Sequence, residues 1–132
     1  MKCVQPAHWP RPKGYANGVV ASGRTVFVSG MIGSNALGEV VPGDFVGQAR
    51  QTLRNIVEVL FEAGAKPEHI VRMNWYVVDK HEYLGAAEEL GIVYREIIGR
   101  HYPAMTAVQV TGLIEDTARL EIEVTAVIPD GE

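Results

Sequence analysis

The run Gly99-Arg100-His101-Tyr102-Pro103-Ala104-Met105-Thr106-Ala107-Val108-Gln109-Val110 carries a helix end straight into a strand. Gly99 can take the left-handed conformation that closes a helix, and Pro103 lacks a backbone donor and holds its predecessor extended. The residues after it alternate as a strand does. Upstream, Leu84, Ala87, Leu90, Tyr94, Ile97 and Ile98 recur at three- and four-residue spacing, which predicts a helix with one buried stripe. Asp79 and Glu82 stand at capping-box spacing and open it, with Asp in place of the usual Ser or Thr. Before it, Ile70 to Val78 is dense in β-branched and aromatic residues and predicts a buried strand.

Further out, Phe45, Ala49, Leu53, Ile56, Val57, Leu60 and Phe61 predict another helix, capped by Asp44 and ended by Gly64 and Pro67. Gly30 to Gly43 is glycine-rich and predicts a loop, with one short strand at Glu39-Val40-Val41. Val19 to Ser22 and Thr25 to Ser29 flank Gly23-Arg24 and read as a hairpin, preceded by an irregular arm over residues 1–14. Leu120 to Ile128 is a last strand, joined to Met105–Val110 by what reads as a hairpin loop over Thr111 to Arg119.

This order predicts a single α+β domain over 1–132, with two helices of roughly 18 residues on one face of a mixed sheet of about five or six strands. Leu120, Ile122, Val124, Ala126 and Ile128 point to the helices; Glu121, Glu123 and Thr125 point away. Met105, Ala107 and Trp75 are expected beside the glutamates. That second face is then partly apolar, and self-association is a natural way to cover it.

The chain has 132 residues, 47% of them hydrophobic and 21% charged, with no apolar run near the ~20 residues of a membrane helix. A net charge of -4 with scattered basic residues disfavours nucleic-acid binding. Cys3 is the only cysteine, so no internal disulfide forms. With no apolar leader pattern at the N-terminus, a cytoplasmic protein is expected. His8, His69, His81 and His101 lack metal-ligand spacing, and Gly30-Met31-Ile32-Gly33 is no phosphate-binding fingerprint, so neither metal nor cofactor is expected.

Tyr102-Pro103-Ala104-Met105, read with Val26-Phe27-Val28-Ser29-Gly30 and Leu120-Glu121-Ile122-Glu123-Val124, resembles the Pro-Ala-Arg signature segment of the RidA/YjgF family of imine and enamine deaminases. The resemblance runs from Gly14-Tyr15 to Val127. It implies a chorismate-mutase-like (ferredoxin-like) α+β domain, and a homotrimeric barrel with small-molecule clefts between subunits. It places Tyr15, Ser29, the backbone of Gly30, Met31, Ile32 and Gly33, Met105 and Thr106 around the substrate, with Glu121 handling a water or proton. Two positions depart from the family pattern. Met105 stands where the family has an arginine that grips the substrate carboxylate, and Gly91 falls near a helix asparagine of some active members.

A guanidinium makes two parallel charge-assisted bonds to a carboxylate, and a thioether makes none. Losing such an anchor from a desolvated site costs ~2 to 5 kcal/mol. Three readings of Met105 stay open: it fills interface space, it fits a cleft for an apolar or uncharged ligand, or Arg100 or His101 compensates. Glu121 is an acid/base in a cleft or a solvated strand residue. Ser29 has no His/Asp partner and reads as a hydrogen-bonding liner; Tyr15 is a liner, a lid or ordinary packing. The implied activity is hydrolysis of an enamine or imine to a carbonyl compound and ammonia, on a substrate other than the usual one. The alternative is a non-catalytic small-molecule-binding or regulatory protein. The ribonuclease role attached to some relatives suits this acidic chain poorly.

Overall fold

The computed structural model describes all of residues 1–132. Six strands and three helices follow the chain as β1 Lys2–Val4, β2 Gly18–Val20, β3 Arg24–Met31, α1 Phe45–Glu62, β4 Ile70–Val77, α2 Lys80–Gly85, α3 Ala87–Ile97, β5 Ala104–Gln109 and β6 Leu120–Ile128. The main sheet has the order β3-β6-β4-β5, and α1 and α3 cover one face of it. The α+β class with a mixed sheet is as expected.

The strand that organises the sheet is β6. It runs antiparallel to both β3 and β4, so those two strands lie parallel with β6 between them, and β5 adds parallel to β4. Each parallel pair therefore needs a helical crossover, which α1 supplies between β3 and β4, and α2 with α3 between β4 and β5. Leu120, Ile122, Val124, Ala126 and Ile128 are all buried, meeting Ala49, Leu53, Ile56 and Leu60 of α1 in one core.

Local signals place α1 well. The Asp44 carboxylate accepts from the Gly47 N–H at 2.9 Å, and the helix stops at Ala63 before Gly64, which adopts φ +79°. Val40 makes only a single bridge, to Ser34.

Five expectations are corrected. Residues 18–20 do not pair with β3; they pair with Lys2–Val4, so the N-terminal arm carries a strand of its own, and β3 takes β6 as its partner. Residues 111–119 are not a hairpin loop, because β4 separates β5 from β6. The second helix is broken at Ala86, where φ -98° and ψ 8° leave the helical range. Asp79 caps α2 through the N–H groups of His81 and Glu82, but Glu82 does not close the capping box; its carboxylate pairs with Arg119 at 2.8 Å. Finally, Trp75 and Met105 lie on the helix side of the sheet, as described below.

The 111–119 crossover is fastened by one buried side chain. Gln48 of α1 donates to the Thr117 carbonyl at 3.0 Å and accepts from the Arg119 N–H at 2.8 Å. Removing it strands both backbone groups and leaves the entry to β6 unpinned. Gln48→Ala is expected to lower stability by about 2 to 4 kcal/mol in urea unfolding. A change below about 0.5 kcal/mol, within the range of an ordinary surface substitution, would show that the crossover is held by other means.

Candidate functional site

The face of the sheet away from the helices carries a layer of polar side chains. In β4, alternation buries Met73, Trp75 and Val77 and turns Arg72, Asn74 and Tyr76 outward. Register then sets Asn74 opposite Glu123 and Tyr76 opposite Glu121. Glu123 accepts from Asn74 Nδ2 at 2.9 Å and from the Tyr76 hydroxyl at 2.5 Å, both on Oε1. The Tyr76 bond, then that of Asn74, with the nearby Arg72 charge, holds the Glu123 carboxyl below its usual range against a smaller opposing effect of burial. The same bond, with desolvation and the charges of Glu123 and Glu121, raises the Tyr76 phenol.

Beside this pair the sheet has a bulge. Val28 pairs with Val124 and Met31 with Ile122, so Ser29 and Gly30 together oppose the single residue Glu123. The bulge matters for Glu121. A Cβ built on Gly30 would lie 2.2 Å from Glu121 Oε2, so the carboxylate occupies space that any other residue at position 30 would fill. Ser29 and Gly30 are both exposed on this face.

Met105 lies elsewhere. In the parallel β4–β5 pair it stands opposite Met73, whose side chain is in the core, and it packs against that core on the helix side. Together with Trp75, Tyr83, Leu84 and Tyr94 it lines a pocket of about 530 Å³ between the sheet and α2–α3. The edge nearest β5 is closed by Tyr15. It is placed there because Ala16 bridges to Ala104 and donates to the Pro103 carbonyl at 2.9 Å. Tyr94 donates to the His101 carbonyl at 2.6 Å and stacks on Tyr102 with ring centres 5.5 Å apart. Burial raises both the Tyr83 and Tyr94 phenols above their ordinary 10.0. The buried Trp75 indole N–H has no hydrogen-bond partner.

The predicted site residues therefore fall into three groups. Ser29, Gly30 and Glu121 meet on the open face; Thr106, opposite Asn74, is exposed on the same face one strand beyond β4. Met105 and Tyr15 meet in the pocket on the other side. Met31 and Ile32 turn toward α1, where Asn55 donates to the Ile32 carbonyl at 3.1 Å, and Gly33 is buried with a virtual Cβ only 2.8 Å from the Gln48 carbonyl oxygen. No single chain brings Glu121 and Met105 to one small molecule. Strand β4 and the thickness of the sheet separate them.

Of the two residues considered as compensating cations, His101 is committed elsewhere: its Nε2 donates to the Ile70 carbonyl at 2.6 Å. Arg100 does not line the Met105 pocket. Sequence reasoning missed Asn74, Tyr76 and the bonded role of Glu123, although polar residues alternating with buried ones on both β4 and β6 signal them. It also missed Lys13 and Arg95, which line the Met105 pocket. No three His, Cys, Asp or Glu side chains converge as a metal site, and no helix is long and apolar enough to cross a membrane.

The split βαβ sheet sets the class of fold, and comparison with known proteins agrees with it. The sequence profile of the Endoribonuclease L-PSP family matches residues 8–128. The chain is 32% identical to the 2-iminobutanoate/2-iminopropanoate deaminase of Capra hircus over 127 residues, covering 96% of this chain and 89% of that protein. It is 33% identical to the RutC family protein PH0854 of Pyrococcus horikoshii over 118 residues, covering 89% of this chain and 90% of that one. Among solved structures, YyfB of the conserved Rid protein family from Yersinia pestis superposes with a TM-score of 0.82 at 32% identity, covering 96% of this chain and 98% of that one. The chain belongs to the RidA/YjgF family.

The Tyr76–Glu123 pair makes a pH prediction. Because the folded Glu123 carboxyl lies below its ordinary 4.5, its contribution to stability is present above that value and is lost as pH falls through the lowered one. Tyr76, raised from 10.0, contributes below 10.0 and loses that contribution as pH climbs through its raised value. Tyr76→Phe is expected to move the Glu123 titration upward in carboxyl NMR and to flatten the acid limb of the stability profile. The loss at neutral pH stays below ~1 kcal/mol because the pair lies near solvent. An unchanged Glu123 midpoint would refute the assignment.

Proposed function

We propose that this protein hydrolyses an imine or enamine to a carbonyl compound and ammonia, in a cleft between subunits of a cytoplasmic homotrimer with a chorismate-mutase-like barrel. The observation that carries the reading is the Glu121 carboxylate seated against Gly30 at the Ser29–Gly30 bulge. A second copy is needed because Glu121 and Met105 face opposite sides of their own sheet. An edge carrying Tyr15, Met105 and Thr106 set against a neighbour's Ser29, Gly30 and Glu121, with Met31 to Gly33 as the following wall, brings both halves to one ligand. The exposed Phe27 and Val108 on the polar face suit burial in such an assembly.

The chemistry follows from one carboxylate. Glu121 takes a proton from a water as its oxygen adds to the imine carbon and delivers it to the nitrogen, giving a carbinolamine; it then takes the hydroxyl proton and passes it to the nitrogen as the C–N bond breaks, leaving a carbonyl and ammonia. An enamine first takes a proton at its β-carbon and then follows the same course. Ser29 and Thr106 supply hydroxyls that orient the polar atoms. The substrate differs from that of an arginine-bearing family member, because Met105 offers no charge.

A second reading, a non-catalytic small-molecule binder, has its own support: within one chain the Met105 pocket contains no carboxylate or histidine to act as acid or base. Ammonia release from imines generated in situ decides between the two. Glu121→Gln is expected to lower turnover by about 10²- to 10⁴-fold with substrate binding kept. Gly30→Ala, which pushes the carboxylate from its seat, acts in the same direction. No ammonia from either form, across imines of differing side chain, favours the binder. Efficient use of 2-iminopropanoate, the substrate in the name of the Capra hircus deaminase, would refute the altered substrate.

A further inference from the structure

The Met105 pocket has a charge pattern that its apolar lining does not lead one to expect. Of the side chains around it, only Lys13 and Arg95 are charged, and both are cations. Neither takes part in a salt bridge; the ion pairs of the chain join Arg50 to Glu96, His69 to Glu132 and Arg119 to Glu82. A pocket walled by aromatic rings and thioether, carrying two unpaired cations and no acid, is electrostatically made for an anion with an apolar body.

Arg95 is directed there by its neighbour one helical turn earlier. It sits on α3 four residues after Gly91, and its Nη1 lies 3.2 Å from where a Cβ on Gly91 would be. The guanidinium is thus folded back over position 91, in room that exists because Gly91 has no side chain. Both residues line the pocket, on the wall across from Met105 and β5. The planar fork is suited to gripping a carboxylate through two parallel bonds, and Lys13 adds a point charge at the mouth. The remaining volume decides the other end of the ligand. About 530 Å³ lined by Trp75, Tyr83, Leu84 and Met105 is far more than a two- or three-carbon acid fills.

We propose that Arg95, lying over Gly91 and assisted by Lys13, is the carboxylate-binding residue of this pocket, and that its ligand is a carboxylate bearing an aromatic or bulky apolar group. This rests on the Met105 pocket being one half of the substrate cleft, and it names the substrate class of that cleft. The cation is carried by the helix wall, while the strand wall that presents Met105 is given over to apolar contact.

The test separates charge from shape. Titration calorimetry of the whole protein with 3-phenylpropanoate and with its uncharged amide, 3-phenylpropanamide, is expected to show the acid binding about tenfold tighter or more, as a charge-assisted bond requires. Arg95→Met keeps the aliphatic stem and loses the charge; it should bring acid and amide to equal affinity while leaving the amide where it was. Arg95→Lys should retain part of the preference. In turnover of the imine generated from phenylalanine, Arg95→Met should raise KM with little change in kcat. Equal binding of acid and amide by the unaltered protein, no binding of either, or a preference that survives Arg95→Met would each overturn the proposal. A charge preference lost in Arg95→Met, with no ammonia from any imine, would uphold it while removing the deaminase reading.

Discussion

Strand β6 is inserted antiparallel between β3 and β4, and nearly every other feature depends on that insertion. It buries five alternating apolar residues from Leu120 to Ile128 against α1 and commits the intervening Glu121, Glu123 and Thr125 to the opposite face. Because it separates β3 from β4, those strands become parallel, and the connections must pass over one face as helices. The same insertion forces the glutamates beside Tyr76, Asn74 and the bulge of β3. A slip of one residue would exchange the core and the carboxylate layer completely.

The two faces then take on different chemistry. On the open side, Glu123 is tied by two side-chain hydrogen bonds and is a poor proton carrier, since anything that stabilises its ionised form weakens it as a base. Glu121 makes no such bond to a neighbouring side chain and rests against a backbone stripped of a Cβ. Division of labour between adjacent carboxylates by environment alone is a familiar physical device. On the helix side, the aromatic pocket under α2 and α3 carries cations and no acid. In our reading, one side supplies the acid/base and the other holds the substrate, which couples function to assembly.

Local physics was well written in the chain. Asp44 caps α1, Gly64 follows its end, and β4, β5 and β6 fall within a residue or two of where β-branched alternation places them. What local pattern misplaced was pairing. Residues 19–22 and 25–29 flank a good turn, yet each strand has a distant partner that buries more: β6 for Thr25 to Val28, and Lys2–Val4 for Gly18–Val20. Alternation alone sets Met105 and Trp75 beside the glutamates, because it specifies two faces without saying which is the core. The match of Met105 with Met73 in the parallel pair decides it.

The amino-acid sequence by itself determined the α+β class, the helix ends and the alternation of β6. These are local matters, set by caps and by period. Only the tertiary structure decided which strands pair, that Ser29 and Gly30 bulge against Glu123, that Gly30 makes room for Glu121, and that Gly91 makes room for Arg95. Such relations join residues tens of positions apart or depend on the absence of a side chain. Their energies come from packing and register across the sheet, which no short window of sequence contains.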